Sequence, residues 1–195
     1  PLRSRAGDDA SCLNLNRVRE PRVLGVDPAA LHSRGAFSFS AWLAPGLEAL
    51  GWLALDAELP DGAVPAVADA STIAWGLGSQ LGEVVTMPDE RGQALRLRLV
   101  GALDGSILQG SLVIGEAAFL RHFPSAAGYR ALLVDAPEAA RGDVEGALRQ
   151  ALWDHGVELR PTVAVLAELR AVEDTYIAIF LALGGLGLAL GTAGF

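Results

Sequence analysis

The side chain with the greatest intrinsic reactivity in this sequence is its single cysteine, Cys12. A thiolate activated by a nearby histidine can act as a covalent nucleophile. Cys12, however, lies in the run Ser-Cys-Leu-Asn-Leu, where a lone cysteine more often packs as a small core residue. A single cysteine also excludes an internal disulfide. A tethered hydrolase that uses Cys12 or a serine is therefore the third of three functional hypotheses.

The three histidines, His32, His122 and His155, are far apart in the sequence. None has the H-x-x-x-H, H-E-x-x-H or C-x-x-C context that typically holds a metal. The sequence contains no G-x-S-x-G nucleophile elbow, and residues 76–82 differ from the G-x-G-x-x-G dinucleotide fingerprint by one residue. We therefore predict no catalytic residue, no metal site and no cofactor, and we interpret residues 76–82 as a loop.

Two other sets of residues are predicted to be structural. The acidic pairs are interpreted as solvated turns or membrane-proximal surface: Asp8 and Asp9, Asp89 and Glu90, and Glu173 and Asp174. The tryptophans can line a ligand groove, but in a domain of this size they more often belong to the core. They are Trp42, Trp52, Trp75 and Trp153.

The charge composition excludes two classes of function. The net charge of −8 argues against a nucleic-acid-binding protein. All 15 basic residues are arginine, so the lysine that a phosphate-binding P-loop requires is absent. The composition therefore disfavours a nucleic-acid-binding protein and a protein with a P-loop.

The middle of the chain is predicted to be rich in β-structure. Residues 95–99 alternate leucine and arginine, which is typical of a strand with one buried face. Residues 88–92 supply the turn of a hairpin. Strands are expected over residues 11–15, 22–26, 64–68, 83–87, 95–103 and 111–115. Helical segments are expected over residues 36–55 (a helix broken at Pro45 and Gly46), 71–77 and 116–123.

Residues 129–160 are predicted to form a β-α-β unit with a right-handed crossover. Residues 129–134 indicate a strand, residues 137–155 an amphipathic helix and residues 157–160 a second strand. Gly156 is a plausible end for the helix.

The last 20 residues, 176–195, contain no charged side chain. About 20 apolar residues in a helix span the hydrocarbon core of a bilayer. The segment is rich in glycine, which destabilises water-soluble helices but is tolerated in membrane helices. We predict a membrane helix, and the alternative is a buried C-terminal helix. The chain begins at Pro1 and ends while still apolar, so we interpret it as a fragment of a larger membrane protein.

A single long helix is expected to lead into this apolar segment. Thr162 can cap a helix whose apolar residues recur at helical spacing with no helix breaker before residue 176. A helix over residues 163–195 would be roughly 50 Å long at 1.5 Å per residue. Such a rod can transmit movement between a folded module and a bilayer, whereas a hinge near Glu173 and Asp174 would uncouple them.

Several motifs occur in a characteristic order along the chain. They are Val64-Pro-Ala-Val-Ala-Asp-Ala-Ser-Thr72, Leu77-Gly-Ser-Gln-Leu-Gly-Glu-Val-Val85, Leu95 to Gly101, Ser106-Ile-Leu-Gln-Gly110, Phe119-Leu-Arg-His-Phe-Pro124, Gly128-Tyr129 and Leu183-Gly-Gly-Leu-Gly-Leu188. In this order, and followed by an apolar helix, they resemble the core extracytoplasmic domain of MacB-like and FtsX-like ABC transporter permeases.

The resemblance implies an α+β fold in two lobes, one of β-α-β units and one mostly β, followed by the start of a transmembrane helix. Residues 1–62 would begin the β-α-β lobe, residues 63–125 form the mostly β lobe, residues 126–162 complete the first lobe and residues 163–195 enter the membrane. No long hook-like insertion is present, which disfavours the lipoprotein-releasing branch of the family.

The resemblance also implies a non-enzymatic function in the bacterial inner membrane, with the domain on the periplasmic side. The implied partners are an ATP-binding cassette ATPase subunit, a second permease subunit, and an envelope protein or peptide substrate; nucleic acid is not among them. The alternative is a membrane-anchored envelope module that binds a protein partner without a transporter.

Overall fold

The computed structural model describes residues 1–8 and 20–193; Cys12 and the strand predicted over residues 11–15 lie outside the described residues. The chain divides into two compact units, Pro1–Val134 and Asp135–Phe195. The sequence-based boundaries at residues 62, 125 and 162 do not coincide with this division. The predicted α+β class is confirmed.

The described residues of the first unit form one mixed eight-stranded sheet. Its strands are β1 (Leu2–Arg5), β2 (Arg22–Val26), β3 (Phe39–Trp42), β4 (Val64–Asp69), β5 (Val84–Pro88), β6 (Ala94–Leu103), β7 (Ser111–Gly115) and β8 (Tyr129–Ala131). Their order is β3-β6-β4-β7-β2-β1-β8, and β5 also pairs with β6. The pairs β2–β7 and β4–β6 are parallel, whereas the others are antiparallel. Strands 22–26, 64–69, 84–88, 94–103 and 111–115 confirm the sequence prediction within one or two residues.

Both faces of the central strands are covered, so these strands are apolar at nearly every position. In β7, Leu112 and Ile114 belong to the core on one face and Val113 to the core on the other. The first core is completed by α3 (Glu116–His122) and by a π-helical turn over Thr72–Gly76. The second is completed by α1 (Pro28–Ser33) and by a 3₁₀ helix over Gly51–Asp56.

The start of α1 and the position of α3 against the sheet can each be traced to one residue. The Asp27 carboxylate accepts a hydrogen bond from the Ala30 N–H at 3.0 Å and caps the N-terminus of α1. Phe119 of α3 lies against the backbone of β2, where a Cβ on Gly25 would be 2.5 Å from the Phe119 Cγ. Only glycine permits this close approach between α3 and the sheet.

The prediction of a broken helix over residues 36–55 is wrong in its first half. Residues Phe39–Trp42 form strand β3, and helix begins only with α2 (Pro45–Leu50). The aromatic rings explain the difference. The Phe39 ring stacks on the Trp42 ring with 4.2 Å between their centroids, and its centroid lies 5.1 Å from that of Trp52. This packing places Trp42 over Gly101 of β6, where a Cβ would meet the indole ring at 2.9 Å.

The second unit consists of helices. The main ones are α4 (Arg141–Ala151) and α5 (Thr162–Ala193). Short 3₁₀ turns flank α4, and Gly156 has a positive φ of 61°, as expected for a helix terminator. No strand forms over residues 157–160, so the predicted second strand of the β-α-β unit is wrong. The predicted strand over 129–134 shortens to the three residues of β8.

Helix α5 is continuous over its 32 residues, and no hinge interrupts it at positions 173 and 174. At 1.5 Å per residue its length is about 48 Å. Among the residues that the structure describes, no helix combines the length and apolar character that define a candidate membrane span.

Candidate functional site

A groove runs along strand β3, and we call it the β3 groove. It has a volume of about 390 Å³ and is lined by residues 39–45 and Glu48. Pockets for ligands in proteins occupy roughly 300–1,000 Å³. Strand β3 supplies one wall of the groove, and the first turn of α2 supplies the other. No sequence motif marked this groove.

Among the strands that the structure describes, β3 is the last at its end of the sheet. It lies end to end with the start of β5 along one side of β6, because Leu43 N–H donates to the Val100 carbonyl at 2.9 Å and Gly82 N–H donates to the Leu99 carbonyl at 2.8 Å. In an antiparallel ladder, the backbone N–H and C=O groups of successive residues alternate between the paired strand and the opposite side. The N–H and C=O of Trp42 therefore face the outer edge of the sheet.

The charges near the β3 groove are mostly acidic. Glu48 lines the groove and is exposed. Asp104 adjoins the start of β3, since its N–H donates to the Ser38 carbonyl at 2.9 Å. Glu83 lies beyond the other end of the groove. It follows Gly82, which is close to Leu43, since a Cβ added at Gly82 would be 2.9 Å from Leu43 Cδ1. The groove is thus flanked by negative charge at both ends.

One arginine also lies close to this edge. Arg98 of β6 donates to the Gly82 carbonyl and to the Asp61 carboxylate, the latter at 2.7 Å. The hydrogen bond from Arg98 is the largest of the effects that lower the pKa of Asp61 below its usual value. Arg96 binds the same carboxylate at 2.9 Å. The Asp61 carboxylate thus balances one of the two arginine charges, and the other remains close to this edge.

A second polar constellation lies at the C-terminal end of β4, within the first motif that carries the family resemblance. The buried Asp69 carboxylate accepts hydrogen bonds from the Ser71 N–H at 3.1 Å, the Ser71 hydroxyl at 2.8 Å and the Ser106 N–H at 2.8 Å. Buried Thr72 accepts from the Gly110 N–H at 2.8 Å. We call these residues the Asp69 network; its groups are bonded to one another, so it is suited to hold the segment 106–110, not to bind a ligand.

The hairpin turn between β5 and β6 contains the acidic pair Asp89 and Glu90. The interpretation of this pair as a solvated turn is wrong for Asp89, which is buried. Its carboxylate accepts from the backbone N–H groups of Arg91 and Gln93, each at 2.9 Å, and lies 3.3 Å from His122 Nδ1. The turn is thereby fastened to the C-terminal end of α3.

The remaining candidates do not converge on one chemical site. Cys12 lies outside the described residues, and within the described residues no group of three or more histidine, cysteine, aspartate or glutamate side chains could hold a metal. Of the tryptophans, Trp52 is buried, as predicted, but Trp75 and Trp153 are 76% and 82% exposed. The core prediction is therefore wrong for these two. Residues 77–82 form a loop, as predicted.

The stability contributed by Asp89 is expected to disappear in acid. Burial raises the pKa of Asp89, but the hydrogen bonds from Gln93, His122 and Arg91 outweigh it and lower the pKa below the usual value. A carboxyl with a lowered folded-state pKa stabilises the fold above the unfolded pKa of about 3.9 and loses this contribution as the pH falls through the folded pKa. Asp89→Ala should therefore destabilise the protein at pH 7 and differ less from wild type near pH 3, measured by urea unfolding.

Asp56 provides a control of opposite sign. Partial desolvation, and then the charge of Asp27, raise the pKa of Asp56, although its side chain is exposed. A raised folded-state pKa contributes stability below the unfolded pKa, and this contribution is lost as the pH rises through the folded pKa. Asp56→Asn should consequently increase the free energy of unfolding at pH 7 and have little effect near pH 3. Equal pH dependence of both variants would contradict the assignment.

Comparison of the chain with protein-family models and with curated proteins found no match.

Proposed function

We propose that the chain is the extracytoplasmic domain of an ABC transporter permease of the MacB-like and FtsX-like kind, and that it is not itself an enzyme. The observation that carries the proposal is helix α5. This helix is continuous over 32 residues, and from Tyr176 onward it carries no charged residue. The order of the motifs from Val64 to Tyr129 supports the same assignment.

The surface of α5 favours an apolar environment. Large apolar side chains near its middle are exposed to the solvent; they are Ile177, Ile179, Phe180, Leu181 and Leu183. A helix that is apolar around its circumference needs lipid or other helices to cover it. We infer that this part of α5 begins a transmembrane helix of the bacterial inner membrane, with the sheet on the periplasmic side.

The proposed mechanism is mechanical coupling. An ATPase subunit on the cytoplasmic side would hydrolyse ATP and move the membrane helices of a permease dimer. An unbroken helix carries such a displacement along its axis better than a hinged one, because every turn is fixed by backbone hydrogen bonds. The α+β domain would then act on an envelope protein, a peptide or another envelope substrate.

Co-purification tests this proposal directly. The protein is tagged, expressed with its native neighbouring genes, extracted in mild detergent and examined for an ATP-binding cassette subunit. The expected result is a complex whose ATPase activity follows both proteins through size exclusion. Extraction without any ATPase subunit would contradict the permease proposal and favour the membrane-anchored binding module, for which the β3 groove supplies a surface.

An arginine placed in the apolar segment is expected to prevent membrane association. Arginine at the centre of a membrane helix costs about 2.5–3.5 kcal/mol of insertion free energy. Leu183→Arg should therefore move the 195-residue chain from the floating fraction of a liposome gradient to the soluble fraction. Val163→Arg is the matched control, since Val163 is 73% exposed in the same helix but lies outside the apolar segment. Equal flotation of both variants would contradict a bilayer location for this segment.

A further inference from the structure

We propose that the β3 groove binds an extended, basic segment of a partner protein by adding it to the sheet as a further strand next to β3. This inference does not depend on the proposed transport function, because peptide binding requires neither an ATPase subunit nor a bilayer. Failure of one proposal is therefore distinguishable from failure of the other. The inference rests on the sheet edge at β3, which no other described strand pairs with, on the shape of the groove and on the charges around it.

The sheet edge supplies the main-chain contacts. The N–H and C=O of Trp42 face outward, as the inward bond from Leu43 to Val100 requires. An added strand satisfies such groups through backbone hydrogen bonds that are independent of the side chains of the peptide. The rings of Phe39 and Trp42 are stacked at 4.2 Å and packed on the sheet, so β3 is a rigid template.

A β-bulge sets the length of the added strand. The register of β3 against β6 shifts between Phe39 and Ala41, and bulges on edge strands commonly limit pairing with other chains. Regular pairing is thus confined to the neighbourhood of Ala41, Trp42 and Leu43. We expect a short, reversible interaction, which suits a partner that must be released.

The groove provides room for side chains of the added strand. The groove, with a volume of about 390 Å³, lies beside the outer edge of β3 and is bounded by Pro45 and Glu48 of α2. Leu43 is 41% exposed at one end and offers an apolar contact. Alternate residues of an extended peptide point to the same side, so every second side chain of the partner would enter the groove.

Charge favours a basic partner. Glu48 lies in the groove, Asp104 and Glu83 flank its two ends, and the chain as a whole carries a net charge of −8. Asp61 balances one of the two charges of Arg96 and Arg98, and the remaining positive charge is outnumbered by Glu48, Asp104 and Glu83. Complementary charge steers and orients a partner even where single exposed ion pairs are weak. A segment with arginine or lysine at alternate positions fits this surface.

The test uses the full chain in mild detergent and a fluorescein-labelled octapeptide of alternating threonine and valine that carries two arginines. A matched peptide with glutamates in place of the arginines tests charge, and one with a central proline tests strand addition, since proline lacks the N–H that a ladder requires. Fluorescence polarisation measures affinity, and hydrogen exchange locates the binding site on the chain.

The arginine peptide is expected to bind most tightly and to slow amide exchange at residues 41–43. Glu48→Arg should weaken its binding by roughly three- to tenfold and should improve binding of the glutamate peptide. Glu58→Arg changes the net charge equally at a position outside the groove, and should have little effect.

Three results would overturn the inference. The first is binding that is insensitive to Glu48→Arg or equally tight for the proline peptide. The second is amide protection outside β3 and α2. The third is protection of residues 41–43 that increases with protein concentration in the absence of peptide, because this would identify a second copy of the chain as the occupant.

Discussion

Replacing Phe119 by alanine is expected to lower the free energy of unfolding by about 3–5 kcal/mol, the usual range for large-to-small changes of a buried aromatic residue. Phe119 is fully buried, lies 5.3 Å from the Phe123 ring and fills the space above Gly25. The loss combines the transfer free energy of the ring with a cavity that a β-strand and a short helix cannot easily close. Urea unfolding followed by circular dichroism measures it.

Trp75→Ala is the control for this prediction. Trp75 is a larger side chain but is 76% exposed, and substitutions at exposed positions usually change stability by no more than about 0.5 kcal/mol. If Phe119→Ala and Trp75→Ala had similar effects, the packing of α3 on the sheet would be wrong. A confirmed difference would establish that α3 is fixed to β2.

Replacing Asp69 by alanine is expected to lower the free energy of unfolding by about 3–4 kcal/mol. Hydrogen bonds to a charged group contribute roughly 1.5–3 kcal/mol each, but the variant also avoids the cost of burying a carboxylate, which offsets part of their sum. The substitution removes the acceptor of the Ser71 N–H, the Ser71 hydroxyl and the Ser106 N–H. The Ser106 N–H would remain buried without a partner, which adds a desolvation penalty. Hydrogen exchange should show increased opening of residues 106–110.

Two further variants test whether the effect of Asp69→Ala comes from the hydrogen bonds of the Asp69 network and not from the loss of any polar side chain. Asp69→Asn retains one acceptor oxygen and is expected to have a smaller effect than Asp69→Ala. Ser33→Ala removes an exposed hydroxyl that donates to the Ala30 carbonyl at 3.2 Å, and it should change stability by less than about 0.5 kcal/mol. Unchanged exchange at residues 106–110 in Asp69→Ala would contradict the structural role assigned to the Asp69 network.

These predictions bear on function through the motif that contains Asp69. The segment from Val64 to Thr72 carries part of the family resemblance, and its polar residues are used within the fold. The side chains that give this motif its character therefore maintain the sheet, and the surfaces available for binding lie elsewhere. The β3 groove, formed by residues outside the motifs, is the better place to search for a partner.

Elements whose signals are local could be predicted from the sequence alone. The leucine–arginine alternation of residues 95–99 became β6, with Leu95, Leu97 and Leu99 buried. The turn at residues 88–92 joined β5 to β6, and the helical spacing after Thr162 became α5. In each case the pattern and the element occupy the same short stretch of chain, so neighbouring residues suffice to specify it.

The course of residues 36–55 and the β3 groove depended on contacts between distant parts of the chain. The pattern of residues 36–55 predicted a broken helix, whereas pairing with β6, as of Phe39 with Leu103, made residues 39–42 a strand. Likewise, Asp89 became buried only because α3 brings His122 to it, and the Asp69 network depends on Ser106. The physical reason is the same throughout: long-range pairing and burial can override local propensity, and neither is encoded in the spacing of neighbouring residues.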